Sequence, residues 1–182
     1  MQIMATEKEK KDKRFNNIIK NLSSKKEEEV LTAIKQLRKH GKPEAIPHLI
    51  HLHQTTKNEE VVNHITAFLF DLKDQTAAQP IINAIEQESN NQQKAFLISI
   101  FWQSALDASE HLSFLVKQAI IGDYMVAVEA LTVIDNFEST FQEDEIMDIE
   151  YDLDEAIENE SDEKKELLIS FKSAIKSLNV EF

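Results

Sequence analysis

The feature of this sequence that most restricts its fold is a helical pattern of apolar residues that recurs about every 32 positions. The pattern starts near Glu28, Glu59, Asn91 and Asp123, so successive starts lie 31, 32 and 32 residues apart. In each unit, apolar residues recur at the spacing of one helix face, and a second such face follows a polar break. A fixed period of paired helices predicts a solenoid, in which each unit buries its apolar face against the next.

The low content of turn-forming residues indicates the same fold class. The 182 residues include two glycines and three prolines, whereas the turns of a sheet protein need many of both. The sequence therefore predicts an all-α fold, an α-solenoid of antiparallel helix pairs (an α-α superhelix). Because the chain has no cysteine, a disulfide, a zinc-thiolate site and a cysteine nucleophile are excluded.

Local signals predict where individual helices lie. Phe15 and the apolar residues that follow it share one face of an N-terminal capping helix. Residues 24–27 and 140–143 have the spacing of a capping box, and Gly41 is suited to a left-handed helix C-terminus. Trp102 lies in a central helix that is apolar nearly all round, so we expect its ring to be buried.

A more specific pattern lies in the first unit, in the stretch AIKQLRKHGKPEAIPHLIHL. It resembles the HEAT-like repeat of the phycobilisome-lyase type, in which a Gly-x-Pro-Glu-Ala-Ile-Pro turn is followed by Leu-Ile. The matching residues are Gly41, Pro43, Glu44, Ala45, Ile46, Pro47, Leu49 and Ile50. The resemblance covers residues 25–178 by period and one unit by motif. We expect a basic tail and capping helix over residues 1–24, then a HEAT-like domain over 25–182 with about four helix pairs and a C-terminal capping helix.

Charge is distributed unevenly along the chain. The formal net charge is -13, made of +6 up to Lys42 and -19 from Pro43 onward. An acidic body repels phosphate backbones, so nucleic acid is not an expected partner. Because the two ends carry opposite charge, the sequence predicts salt-sensitive self-association, head to tail.

The most acidic stretch, residues 142–163, contains no lysine or arginine. It lacks the glycine and terminal glutamate of an EF-hand loop, so calcium binding through that motif is excluded. Five apolar residues fall on one side of a helical wheel, which predicts a helix with a core stripe. The outward side carries Asp144, Asp148, Tyr151, Glu155 and Glu158. Such a line of charge is either a solvated face or a binding ridge for a partner protein with a basic segment.

Other candidate residues follow from the resemblance, because second helices of HEAT-like units usually line a concave surface. In the third unit the outward positions of that helix are Phe114 and Lys117, which we add to the predicted protein-binding surface. The histidines of HLIHLH, residues 48–53, do not share one face, so a metal site is not expected there. HEAT-like hydroxylases bind iron through His-Glu pairs, and no histidine here precedes a glutamate.

These observations favour a non-catalytic protein-binding module or scaffold that needs no cofactor. The alternative is a HEAT-like enzyme or cofactor-handling protein related to the lyases. No nucleophile triad, P-loop or dinucleotide motif is present. The N-terminus has no apolar signal-peptide core, and no stretch approaches the ~20 apolar residues of a membrane span, so a cytoplasmic protein without membrane contact is predicted.

Overall fold

The computed structural model describes residues 7–160 and 162–181, and within them the chain forms ten α-helices and two short strands. The helices are α1 Glu7–Leu22, α2 Glu27–His40, α3 Ile46–Thr55, α4 Glu59–Leu69, α5 Ala78–Gln87, α6 Asn91–Gln103, α7 Leu112–Ile121, α8 Tyr124–Ile134, α9 Glu143–Asn159 and α10 Asp162–Ser177. The strands are β1 Thr140–Gln142 and β2 Asn179–Glu181. Apart from these strands, the prediction of an all-helical chain is confirmed. The first six residues of the predicted basic tail lie outside the described residues.

Among the helices whose preceding residue the structure describes, α4, α6 and α8 begin with a side-chain cap. Asn58 precedes α4, Asn90 precedes α6 and Asp123 precedes α8. Each side chain accepts a hydrogen bond, 3.0 to 3.1 Å long, from the backbone N–H three residues later. These caps satisfy N–H groups that the first turn of a helix leaves without a partner, so they fix where each helix starts.

The capping box predicted at residues 24–27 is wrong. Helix α2 begins at Glu27, and Lys26, the residue before it, makes no side-chain cap. Ser24 instead accepts a hydrogen bond from the Lys26 N–H at 3.1 Å and donates its hydroxyl to Glu29 at 2.6 Å. A serine turn therefore forms ahead of the helix, in competition with the cap.

Gly41 ends α2 in a different way from the one predicted. Its φ of -71° and ψ of 158° are extended, not left-handed. Its N–H donates to the carbonyl oxygen of Leu37 at 2.7 Å, and a Cβ at this position would overlap that same oxygen. Glycine is needed at this position because a side chain would not fit between the backbone of residue 41 and the Leu37 carbonyl group. The chain then enters a short 3₁₀ turn at Pro43–Ala45 that leads into α3.

The core is built by contacts between helices that are not always sequence neighbours. Helix α8 packs against α6, α7 and α10. Two of its alanines, Ala127 and Ala130, are fully buried, and small side chains at such positions let neighbouring helices approach closely. Among the described residues, no helix has the length and apolar character needed to cross a membrane.

The two strands form a parallel pair that joins distant parts of the chain. β1 lies just before α9 and β2 just after α10, with Phe141 paired to Val180. Phe141 is buried and its ring centroid lies 5.9 Å from that of Phe137. The capping box predicted at residues 140–143 is therefore wrong, because this segment is a strand and Gln142, which precedes α9, makes no side-chain cap.

Trp102 is not a core residue, in contrast to the prediction. Its side chain is 40% exposed, and its indole N–H donates to the Glu129 carboxylate on α8 at 2.7 Å. Trp102 occupies the last turn of α6, whereas its neighbour Phe101 is buried. The ring thus lies at the surface with its polar group satisfied across the helix pair.

The burial difference between two aromatic residues gives a stability prediction. Phe171, on α10, is fully buried, so Phe171→Ala should lower the free energy of unfolding by about 3–5 kcal/mol. Trp102→Ala should cost less, about 1–2 kcal/mol, since its ring is partly solvated already. Urea unfolding followed by far-UV circular dichroism measures both. Equal losses in the two variants would contradict the surface position of Trp102.

Candidate functional site

Helix α9 is fixed to the rest of the protein by an apolar stripe along one side. Ile146, Ile149 and Leu153 are buried, and Ala156 and Ile157 are half-buried against the core. Their spacing of three and four residues keeps them on one face, as predicted from the sequence. Because this face is held, the opposite face of α9 has a defined orientation toward solvent.

The opposite face carries the predicted line of residues, which we call the acidic ridge. All five members are exposed: Asp144, Asp148, Tyr151, Glu155 and Glu158. The ring of Tyr151 is the most exposed large apolar group identified in the described chain, at 70%. The ridge is therefore a continuous, solvent-accessible surface with an aromatic residue at its centre.

Some carboxylates beside the ridge are paired with lysine or with a hydroxyl, whereas Asp144 is the ridge carboxylate with a hydrogen bond in the structure, from the Glu145 N–H at 2.9 Å. On the α10 side, Lys172 forms an ion pair with Asp154, and Lys176 lies 3.7 Å from Glu150. On the α7 side, the Ser113 hydroxyl donates to Glu145 at 2.6 Å. Within the described chain no lysine or arginine pairs with the four ridge carboxylates. The negative charge of the ridge is thus left for solvent or for another molecule.

One exposed residue beside the ridge was not predicted from the sequence. Met147 lies one helical turn before Tyr151 and is 64% exposed. Its position on the helical wheel, between the ridge and the face paired with α10, gives it no core neighbour. A methionine and a tyrosine four residues apart form a small apolar surface within an acidic one.

Helix α7 supplies the other two predicted residues. Lys117 is exposed, and Phe114 is half-buried against the core, so only part of its ring reaches solvent. Helices α7 and α9 pack together, and the hydrogen bond from Ser113 on α7 to Glu145 on α9 joins them. Phe114 and Lys117 lie on a helix that packs beside α9, but the main aromatic surface is that of Tyr151.

The histidines of α3 have different environments. His48 and His51 are exposed, while His53 is half-buried. The His53 ring stacks on Phe96 of α6, with centroids 4.1 Å apart and planes inclined by 3°. In the part of the chain that the structure describes, no three His, Asp or Glu side chains are grouped to hold a metal ion.

Comparison of the sequence with models of known protein families gives no match, and no curated protein is significantly similar to it.

The surroundings of His53 disfavour its charged form. Its Nε2 lies 3.1 Å from the Thr66 hydroxyl, whereas its Nδ1 is buried without a hydrogen-bond partner. A proton on both ring nitrogens would leave an N–H group with no acceptor. Burial accordingly lowers the pKa of His53 from its usual value of 6.5.

This lowered pKa predicts a loss of stability in mild acid. Below about pH 6.5 the unfolded chain binds the histidine proton more readily than the folded one, so the free energy of unfolding falls as pH falls. In His53→Phe, which keeps a ring against Phe96, the fall between about pH 8 and about pH 5 should be smaller. His48→Gln, at an exposed site on the same helix, should behave like the wild type. Urea titrations at each pH measure this, and an undiminished fall in His53→Phe would contradict it.

Proposed function

We propose that this protein is a non-catalytic protein-binding module, a short solenoid of HEAT-like helix pairs whose acidic ridge binds a basic segment of a partner protein. The observation that carries the proposal is that the charges of the ridge are exposed and form no ion pair within the described chain. The four ridge carboxylates are exposed and unpaired by any described lysine or arginine, and they surround Tyr151, which is 70% exposed. Aromatic side chains are enriched at protein–protein interfaces, and surface charge steers the encounter with an oppositely charged partner.

The positions of the helices support the solenoid. Helices α2, α4, α6 and α8 begin at Glu27, Glu59, Asn91 and Tyr124, so the starts are 32, 32 and 33 residues apart. Contacts join α2 to α4 and α6 to α8, and likewise α3 to α5 and α7 to α9. Equivalent helices of the first two units, and of the last two units, therefore pack together as expected of stacked repeats, while the second and third units meet through α5 and α6.

Polar contacts one unit apart support the same architecture. Arg38 pairs with Asp71 at 2.7 Å, 33 residues away. Gln75 exchanges two hydrogen bonds with the backbone of Asp107, 32 residues away, and Ser113 binds Glu145 at the same separation. Recurrence of such links at one repeat length connects each unit to the next in a fixed register.

The alternative, a lyase-related enzyme, needs a pocket in which titratable groups converge. The groove between α3 and α5, about 500 Å³ in volume, is lined mostly by apolar and amide side chains. Its two titratable lining residues are His51 and Glu88, and Glu88 accepts a hydrogen bond from Gln54 at 2.6 Å. This composition suits packing of a polypeptide better than acid–base chemistry.

The two kinds of residue on the ridge have different roles in the proposed binding. The carboxylates attract a basic segment over a distance of about one Debye length, ~10 Å at 0.1 M salt, and so raise the rate of encounter. Tyr151 and Met147 bury apolar surface once contact is made and so slow dissociation.

Photo-crosslinking tests the proposal directly. A photoreactive amino acid in place of Met147, introduced in the native cells, should give an adduct whose crosslinked peptide is rich in lysine and arginine. The same group in place of Met125, which is 50% exposed on α8, is the matched control and should not give this adduct. Asp148→Asn with Glu155→Gln should reduce the adduct from position 147. Absence of any protein adduct from position 147 would contradict the proposal.

Binding kinetics should separate the effect of the ridge carboxylates on association from the effect of the Tyr151 ring on dissociation. With the crosslinked partner immobilised, Asp148→Lys with Glu155→Lys should slow association and flatten its dependence on salt. Tyr151→Ala should chiefly speed dissociation, with a loss of about 2 kcal/mol or more if the ring is a hot spot. Surface plasmon resonance measures both rates, and circular dichroism confirms that the helices are kept. Unchanged rates in all variants would show that the ridge is a solvated face.

A further inference from the structure

Helix α1 carries an exposed basic face, which we call the basic stripe. Its members are Lys10, Lys13, Arg14, Asn17 and Lys20, all of them exposed. The other side of α1 is held against the protein by Ile18 and Leu22, which are buried. The stripe thus has a defined orientation, as the acidic ridge on α9 does.

Internal ion pairs leave the stripe free. Lys11, on the same helix, lies 3.6 Å from Glu7, and Lys42 binds Asp12 at 2.6 Å. None of the four basic residues of the stripe forms an ion pair with a carboxylate of the described chain. The basic residues of the stripe and the carboxylates of the ridge are therefore both without an ion-pair partner among the described residues, and the two surfaces carry opposite charge.

We infer that the basic segment that binds the acidic ridge is the basic stripe of a second copy of this chain, an inference that rests on the proposed function of the ridge. The two surfaces match in size: Lys10 to Lys20 spans about 15 Å of helix and Asp144 to Glu158 about 21 Å. They also match in pattern, because one neutral residue with a polar tip, Asn17 or Tyr151, interrupts each line of charge. Each surface offers four charges to the other.

The proposed contact between the basic stripe and the acidic ridge forms between two molecules and not within one. Helix α1 packs on α2 and α3, whereas α9 packs on α7 and α10, and no stripe residue is ion-paired to the ridge within the chain. A contact between two different surfaces is heterologous, so each added copy offers a new stripe and a new ridge. Repeated from copy to copy, this contact gives an open row that grows with concentration, or a ring where the rotation between copies closes.

Salt sets the conditions in which the row forms. Each copy has a net charge of -13, so whole molecules repel each other. At about 0.1 M salt the Debye length is about 10 Å, which screens that repulsion over molecular distances but not the facing charges in contact. At about 1 M salt the Debye length is about 3 Å, and the contact should be lost.

A pair of neutralised variants tests the inference. The ridge-neutral variant carries Asp144→Asn, Asp148→Asn, Glu155→Gln and Glu158→Gln, and the stripe-neutral variant carries Lys10→Gln, Lys13→Gln, Arg14→Gln and Lys20→Gln. In sedimentation velocity at about 0.1 M salt, the wild type should form species larger than a dimer, and each variant alone should be monomeric. An equimolar mixture of the two variants should form a dimer that grows no further, since one intact ridge meets one intact stripe.

A control variant separates position from net charge. Glu86→Gln, Glu110→Gln, Asp135→Asn and Glu138→Gln remove four exposed carboxylates elsewhere and change the charge as much as the ridge-neutral variant does. This control should associate like the wild type. Association that persists in the ridge-neutral or the stripe-neutral variant would overturn the inference, because another surface would be responsible.

A wild type that is monomeric at about 0.1 M salt would also overturn the inference. That result would leave the proposed function standing, provided that crosslinking from position 147 still captures a different protein through a basic peptide. Failure of both experiments would instead return the ridge to the role of a solvated face.

Discussion

Mutual covering of short apolar helix faces is the constraint on which this structure depends. The ten described helices are 10 to 17 residues long, and helices of this length are marginal in water without tertiary contacts. Each is therefore stable only where a neighbour covers its apolar side, and α8 does this for α6, α7 and α10. A residue's exposure is decided by which neighbours its helix meets. Helix α9 meets α7 on one flank and α10 on the other, so its third side remains open.

Polar contacts then fix how that open side is oriented. Lys164, in the first turn of α10, donates to the carbonyl oxygen of Ile120 at 2.6 Å and pairs with Glu160 at 2.9 Å. It thereby satisfies a carbonyl that the end of α7 leaves without a helical partner. With Lys172 and Lys176 bound to the near flank of α9, α10 holds α9 in one rotation. A surface oriented before binding loses less conformational entropy when a partner arrives.

The sequence allowed the helical class and the core-facing side of α9 to be predicted, but not the ends of the elements. The stripe of Ile146, Ile149 and Leu153 follows from spacing alone, which places Tyr151 on the outward side of α9. That its ring is 70% exposed is a finding of the structure. Spacing reports which face of a helix an apolar residue occupies and not where along the helix its neighbours stop. For that reason the burial of Trp102, in a last turn, was predicted wrongly. The parallel pairing of residues 140–142 with 179–181 depends on where α10 returns the chain, which no local pattern encodes.

The carboxylates at the two ends of α9 have different effects on the stability of the helix. Glu143, Asp144 and Glu145 lie in its first turn, where carboxylates interact favourably with the helix dipole. Glu155 and Glu158 lie near its C-terminal end, where carboxylates are unfavourable and where the last turn holds no basic residue. They also repel each other at a spacing of three residues. Local features that oppose folding are expected mainly where function needs them. The C-terminal half of the ridge, with Tyr151 one turn before Glu155, is therefore the part that folding explains least and that the proposed binding would explain.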